Sequence, residues 1–165
     1  MASNQTPSQL ANPERFNLDI ARTFDAPPEL VFEVWTDPVH VAKWWGPHHF
    51  TVSHCQLDVR PGGAILIHMR GPDGTIFPMG GLYEVVDPPH KLVILQSVSL
   101  DDETGSGFHV RTSVTFTELD GKTLLTVEGR VVQATPDSEG PLSGMAQGWD
   151  EQLQRLGAYL SGAMK

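Results

Sequence analysis

With 165 residues, of which 39% are hydrophobic, the chain is long enough for one globular domain that buries roughly two-thirds of its surface. Its formal net charge is −9 and it contains no basic run, which argues against nucleic acid or an anionic membrane as a partner, since both need clustered lysine and arginine. A single cysteine excludes an internal disulfide, and neither a signal peptide nor a run of about 18 apolar residues is visible, so we expect a soluble, cytoplasmic protein.

The chain begins with a mostly polar stretch that is followed by alternating residues. Residues 1–14 include two prolines, and we expect them to form a flexible arm. Residues 15–165 are expected to form a single domain. Between residues 16 and 24, apolar and polar side chains alternate at the start, which predicts a first strand.

Two short helices are predicted next, each with its own start. Asp25 can cap the first helix, and Asp37 can cap the second, which has Pro38 at its first position. Gly46 suits a left-handed exit from the second helix, and Pro47 prevents its continuation. The apolar stripes of the two helices are Val31, Val34 and Trp35, and then Val41, Trp44 and Trp45.

From residue 50 to residue 132 the apolar pattern changes to a period of two. It predicts six strands, at about 50–58, 63–70, 75–86, 91–99, 107–118 and 122–132. Asp-Gly pairs at 73–74 and 120–121 are typical of hairpins, and consecutive hairpins imply an antiparallel sheet. Pro78 cannot donate a ladder hydrogen bond, so we expect a bulge or an edge at this position.

The last predicted element is a long helix. Its apolar face consists of Met145, Trp149, Leu153, Leu156 and Leu160, spaced by three or four residues. Gly144, Gly148 and Gly157 cost about 1 kcal/mol each inside a helix, so we expect them where the backbone approaches the sheet or leaves room for something. The predicted fold class is α+β with the order β-αα-β6-α, a curved antiparallel sheet of about seven strands covered by one long helix. One helix cannot fill the inner face of such a sheet, so either large side chains or a cavity must occupy the remainder.

Four separated stretches resemble a known family. They are FDAPPELVFEVWTDPVHVAKWWGP (24–47), DVRPGGAILIHMRGPDG (58–74), GGLYEVVDPPHKLV (80–93) and GWDEQLQRLGAYL (148–160). In this order they resemble the family named for activators of the heat-shock-protein-ninety ATPase, within the START-like (SRPBCC), birch-pollen-allergen-like superfamily. The resemblance implies the helix-grip fold. It does not select a function, because the superfamily includes lipid carriers, hormone receptors, cyclases and bacterial members without an assigned role.

Our first functional hypothesis is a protein that binds a small hydrophobic or aromatic molecule between the sheet and the C-terminal helix. The residues expected to line its cavity are Trp44, Trp45, Phe50, Ile67, Met69, Phe77, Met79, Tyr83, Trp149, Leu153 and Leu156. Adjacent helical residues point about 100° apart, so we expect one of Trp44 and Trp45 in the core and one at the cavity. Tyr83 can anchor a ligand, or it can equally be a core tyrosine bonded to a backbone carbonyl.

Two other functions stay open. A chaperone-associated or stress-response module, as the family name implies, would act through its acidic outer surface. An enzyme of the cyclase or hydrolase kind would need an acid or base inside the cavity, and the only candidates are His54, His68, Tyr83 and Glu84. His68 is expected on the solvent side of its strand, because Ile65, Ile67 and Met69 form the other face. If the two faces are reversed, His68 is instead a buried base. We therefore assign no catalytic residue and expect that the chain is not an enzyme.

The seven histidines lack the spacing of a metal site. His48 and His54 would be about 20 Å apart along one strand, and neither a helical H-x-x-x-H pair nor a second cysteine is present. We expect neither a metal nor a cofactor. The expected partner is a small hydrophobic molecule, or alternatively a chaperone or other protein, and the chain is expected to be a monomer or a homodimer.

Overall fold

The computed structural model of the chain describes residues 9–101 and 103–163. The helices are α1 (Pro28–Thr36), α2 (Pro38–Trp44), α3 (Glu139–Ser143) and α4 (Met145–Ala163). The strands are β1 (Leu18–Phe24), β2 (Thr51–Leu57), β3 (Ala64–Arg70), β4 (Ile76–Asp87), β5 (Lys91–Asp101), β6 (Ser106–Leu119) and β7 (Lys122–Ala134). Two 3-10 turns lie at Pro13–Phe16 and Pro136–Ser138.

The seven strands form one antiparallel sheet in the order β1-β7-β6-β5-β4-β3-β2. From β2 to β7, each strand pairs with the next one along the chain, as short hairpin connections require. The pairing of β1 with β7 places β1 and β2 at opposite edges, and α1 and α2 carry the chain between these edges. The predicted α+β class and element order are confirmed, with the short helix α3 as an addition before α4.

The N-terminal stretch differs from the prediction. Pro13–Phe16 forms a 3-10 turn, so the first strand starts at Leu18 and not at residue 16. Leu10 is 7% exposed, and its backbone N–H donates to the carbonyl of Ala134 at 2.8 Å. Residues 1–8 lie outside the described residues, and the flexibility of residues 1–14 stays a prediction.

The starts of the two short helices follow different rules. The predicted cap at Asp25 is wrong, because Pro27 occupies the N-cap position of α1 and none of the described side chains caps that helix. Pro28 at the first position removes one of the donors that a cap would serve. Asp37 caps α2 as predicted, since its carboxylate accepts the N–H of Val39 at 2.9 Å. Gly46 has the predicted left-handed backbone, with φ +99°.

Pro78 marks a split between two central strands. β4 pairs with β3 from Ile76 onward but with β5 only from Gly80 onward. Pro78 therefore lies where β4 forms an edge towards β5, which is one of the two predicted outcomes. The irregularity in the β4–β5 pairing lies further along, between Tyr83 and Val85.

Four tryptophans form the centre of the core between α1, α2, α4 and the sheet. Neighbouring rings of Trp35, Trp44, Trp45 and Trp149 have centroids 5.0 to 6.0 Å apart. A smaller buried cluster lies to one side and contains Leu10, Val110, Ala134 and Leu142. Among the described residues, no helix is long and apolar enough to cross a membrane.

Candidate ligand-binding cavity

A cavity of about 380 Å³ lies between the N-terminal half of α4 and one end of the strands β3 to β6. The helix and the sheet form two of its walls, and the loop between α2 and β2 forms the third. Most side chains that line it are aromatic or aliphatic, the polar ones are Gln96 and Gln152, and none of the described residues in its wall is charged. The cavity is thus an uncharged, apolar space in a chain with a net charge of −9.

Six of the eleven residues predicted to line a cavity do line this one. They are Trp45, Phe50, Met69, Phe77, Met79 and Trp149. Trp45 and Trp149 are 6% and 7% exposed, and Phe77 is 45% exposed. The rings of Phe50 and Phe77 have centroids 5.7 Å apart. The structure therefore brings together the α2–β2 loop, β3, β4 and α4 at one space, as the sequence predicts.

The other five predicted residues lie elsewhere. Ile67 and Tyr83 help to line a separate void of only about 10 Å³, whose wall also includes Trp35 and Trp45. Trp44, Leu153 and Leu156 are 0 to 2% exposed and line neither of these two spaces. The prediction extended the cavity along α4 from Trp149 to Leu156, whereas only Trp149 of these three helix residues lines it. The C-terminal half of that helix is instead packed into the core.

Several lining residues were missed by the sequence analysis. On β5 and β6 they are Gln96, Val98, Phe108 and Val110, and on α3 and α4 they are Pro141, Met145, Gly148 and Gln152. Pro47 and Pro78 complete the wall. Helical spacing could have found Gln152, because positions three and seven residues after Met145 share one face of α4. Nothing in the pattern of β5 and β6 shows at which end of the sheet the cavity lies.

Side chains of α4 hold the loop that forms one wall. The Oε1 atom of Gln152 accepts the N–H of Gly46 at 2.8 Å, and Oε1 of Glu151 accepts the N–H of His48 at 3.1 Å. The guanidinium of Arg155 donates through Nη1, at 3.0 to 3.1 Å, to the carbonyls of Trp45, Gly46, Pro47 and Phe50. Burial lowers the pKa of Arg155. One helix thus fixes the backbone of the loop through three side chains.

The groups considered for acid–base chemistry do not meet in the cavity. His54 and His68 lie on neighbouring strands with ring centroids 5.4 Å apart, and neither lines the cavity. Glu84 forms a salt bridge with Arg111 at 2.6 Å, and this hydrogen bond lowers the pKa of the Glu84 carboxyl. Tyr83 is 2% exposed, and burial raises the pKa of its hydroxyl.

The strand faces agree with the alternation in the sequence. Ile65 and Ile67 are 4% and 2% exposed, whereas His68 is only partly buried on the opposite face of β3. Among the described residues, no group of three histidine, cysteine or acidic side chains could hold a metal ion. The cavity offers apolar surface to a ligand, and two amide side chains supply its polar side-chain groups.

A sheet of seven antiparallel strands, two short helices after the first strand and a long C-terminal helix define the helix-grip class. Within this class the chain belongs to the family described as Activator of Hsp90 ATPase homolog 1-like protein, whose model matches residues 25–161. The family resemblance noted in the sequence is confirmed. No curated protein matches the chain.

Solved bacterial structures share the fold. A protein of Arthrobacter aurescens is 24% identical, with a TM-score of 0.76 over 93% of this chain and 91% of that one. A protein of Mycobacterium smegmatis is 26% identical, with a TM-score of 0.73 over 94% and 96%. The AHSA1 protein of Silicibacter pomeroyi is 25% identical, with a TM-score of 0.73 over 88% and 97%.

Proposed function

We propose that the chain binds a small, largely apolar molecule in the cavity beside the N-terminal half of α4. The observation that carries the proposal is the cavity itself, which measures about 380 Å³ and has an uncharged wall. Ligand pockets in proteins span about 300 to 1,000 Å³ and are lined mainly by hydrophobic and aromatic side chains.

The wall combines rigid and adaptable side chains. Trp45 and Trp149 belong to the tryptophan cluster, with ring centroids 5.9 Å apart, and form a fixed aromatic surface. Met69, Met79 and Met145 line the cavity from two strands and from α4. Methionine side chains are flexible and polarisable, so they adjust to ligands of different outline. This combination supports binding of flat aromatic or short aliphatic molecules.

Gly148 offers a way to fill the cavity without disturbing its wall. This residue lines the cavity in α4, and a Cβ atom placed on it meets no atom of the described residues within 4 Å. The substitution Gly148→Phe therefore adds a ring next to the ligand space, at a helical position where phenylalanine is more favourable than glycine. Gly162→Phe is the matched control, because Gly162 lies in the same helix, has no neighbour within 4 Å of an added Cβ in the part of the chain that the structure describes, and is outside the cavity wall.

The test is a titration with prodan, a neutral naphthalene dye whose emission moves to shorter wavelength in apolar surroundings. We expect the native protein and Gly162→Phe to bind the dye with the same affinity. Gly148→Phe should bind it at least about tenfold more weakly while keeping its melting temperature, since only the space is removed. Equal binding by all three proteins would place the dye elsewhere. Absence of a thermal shift with this dye and with a panel of lipids and aromatics would overturn the proposal.

A further inference from the structure

Gln152 is the most deeply buried polar side chain in the wall of the cavity. It is 6% exposed and lies on the same face of α4 as Met145 and Trp149. Its Oε1 atom accepts the backbone N–H of Gly46 at 2.8 Å. A backbone N–H can only donate, so this bond fixes which end of the amide is the oxygen. The Nε2 group is consequently the end left to face other partners.

That Nε2 group has no hydrogen-bond partner among the described residues of the chain. Among the described residues, the only fully buried side-chain polar atom without a partner is Nε1 of Trp35, so the Nε2 group of Gln152 is not sealed off but is open to the cavity. A ligand that fills the cavity covers this group, and without an acceptor the N–H group would lose its hydration and gain nothing in return. A ligand that brings an acceptor oxygen to this point forms the hydrogen bond, and a ligand of the same shape without that oxygen does not.

A second amide in the wall has the same polarity. The Oε1 atom of Gln96 accepts the hydroxyl of Thr112 at 2.6 Å, and Thr112 is itself 1% exposed. The Nε2 group of Gln96 is then a second donor, on the β5 side of the cavity. Both polar side chains of the wall thus use their oxygens within the protein and keep their N–H groups for a ligand.

The wall also selects against charge. None of the described residues that line the cavity carries a charge, and the guanidinium of Arg155 is engaged by four carbonyls behind the loop. An anionic ligand would therefore lose its hydration without meeting a cation, which is costly in an apolar space. A cationic ligand would find no carboxylate in this wall.

Resting on the proposed function, we infer that the ligand is a neutral molecule with an apolar, preferably aromatic body and a hydrogen-bond-accepting oxygen, such as a ketone or ether, that Gln152 recognises. Gln96 is placed to bind a second such oxygen where the ligand carries one. Gln152 is a specificity-determining residue in this account, while the aromatic and methionine side chains supply most of the contact area.

The test measures by calorimetry the affinities of three naphthalene derivatives that carry their substituent at the same ring position. Acetylnaphthalene carries the acceptor oxygen, isopropylnaphthalene has nearly the same shape without it, and naphthoate is an anion. The native protein should bind the ketone about tenfold more tightly than the hydrocarbon, and should bind naphthoate more weakly than both. In Gln152→Met the ratio between ketone and hydrocarbon should fall to about one, because methionine keeps the length of the side chain but cannot donate.

Gln152 also binds the loop between α2 and β2, so the test needs a control variant and a second measurement that separate ligand recognition from loop stability. Arg155→Met loosens the same loop and keeps both amides, so the affinity ratio should not change even if both affinities fall. The infrared carbonyl stretch of bound acetylnaphthalene should lie at lower wavenumber than in hexane, and this shift should diminish in Gln152→Met. Binding of neither neutral probe would refute the proposed function itself. Equal binding of ketone and hydrocarbon, or preferred binding of naphthoate, would overturn only the inference about ligand class.

Discussion

At the scale of single residues, Cys55 shows how burial controls reactivity. Burial and, to a smaller extent, the carboxylate of Asp37 raise the pKa of the thiol from 9.0 to about 11. The thiolate is the nucleophile, so at about pH 8 a shift of this size reduces the reactive fraction roughly a hundredfold. A thiolate of higher pKa attacks faster, which restores about tenfold. We therefore expect the thiol of Cys55, on β2, to react about tenfold more slowly with electrophiles than an unperturbed thiol.

We predict that the native protein reacts with Ellman's reagent at about pH 8 roughly tenfold more slowly than the urea-unfolded chain. The chain has one cysteine, so the rate reports on Cys55 alone. Because the folded-state pKa is raised, the stability that the protonated thiol contributes is complete below pH 9.0 and is lost as pH rises through about 11. Urea midpoints measured across this range should fall more in the native protein than in Cys55→Ser. Equal reaction rates for the folded and unfolded chains would contradict the account.

The positions of the adjacent residues Trp44 and Trp45 could be predicted only in part from the sequence. Helical geometry predicts different directions for neighbouring side chains. Trp44 is 0% exposed and donates its Nε1–H to the carbonyl of Val34 at 2.9 Å, whereas Trp45 lines the cavity. Which of the two rings has which position could not be predicted, because α2 ends at Trp44 and Trp45 continues in extended backbone.

At the scale of elements, α4 both covers the sheet and fixes the loop between α2 and β2. Arg155 is central to this because its guanidinium binds four carbonyls of that loop. We predict that Arg155→Met lowers the free energy of unfolding by about 2 to 3 kcal/mol, since hydrogen bonds that involve a charged group are the stronger ones and the loop carbonyls lose their donor. Urea unfolding followed by tryptophan fluorescence measures this change.

Arg60→Met is the control for the loss of an arginine as such. The side chain of Arg60 is 72% exposed and pairs with Asp58 at 2.8 Å on the surface. Exposed ion pairs contribute about 0 to 1 kcal/mol, so this substitution should have a small effect. Similar losses from the two substitutions would mean that Arg155 contributes no more than a surface ion pair.

The strands and the long helix could be predicted because their patterns are local. Alternation and Asp-Gly turns determine strands, and spacing by three or four residues determines α4. The position of the cavity is not local. It depends on the split between β4 and β5 near Pro78, and the sequence indicates an irregularity there without showing that Pro78 and Val98, on either side, line a space.

The glycines of α4 illustrate the same limit. A Cβ atom on Gly157 would lie 3.4 Å from the ring of Phe24, so this glycine lets the helix approach β1. Gly148 borders the cavity, where an added Cβ meets open space. Both uses were expected from the sequence, but only the packing of the helix decides which glycine has which use.

At the scale of the whole molecule, one helix faces a sheet of seven strands. The sequence left two ways to fill the remaining inner face, and the structure contains both of them. Four tryptophans close the centre, and beyond them an apolar space of about 380 Å³ stays open at one end of the sheet. The proposed function requires that a ligand binds in that space.

The most direct test is NMR of the protein labelled with ¹³C at its methionine methyl groups, titrated with prodan. Met69, Met79 and Met145 line the cavity and are assigned by single Met→Leu substitutions. We predict that binding shifts the methyl resonances of all three and gives intermolecular NOEs from them to the naphthalene protons. If the dye binds while these three resonances and their NOE spectra stay unchanged, its site lies elsewhere, and the cavity is not the functional site.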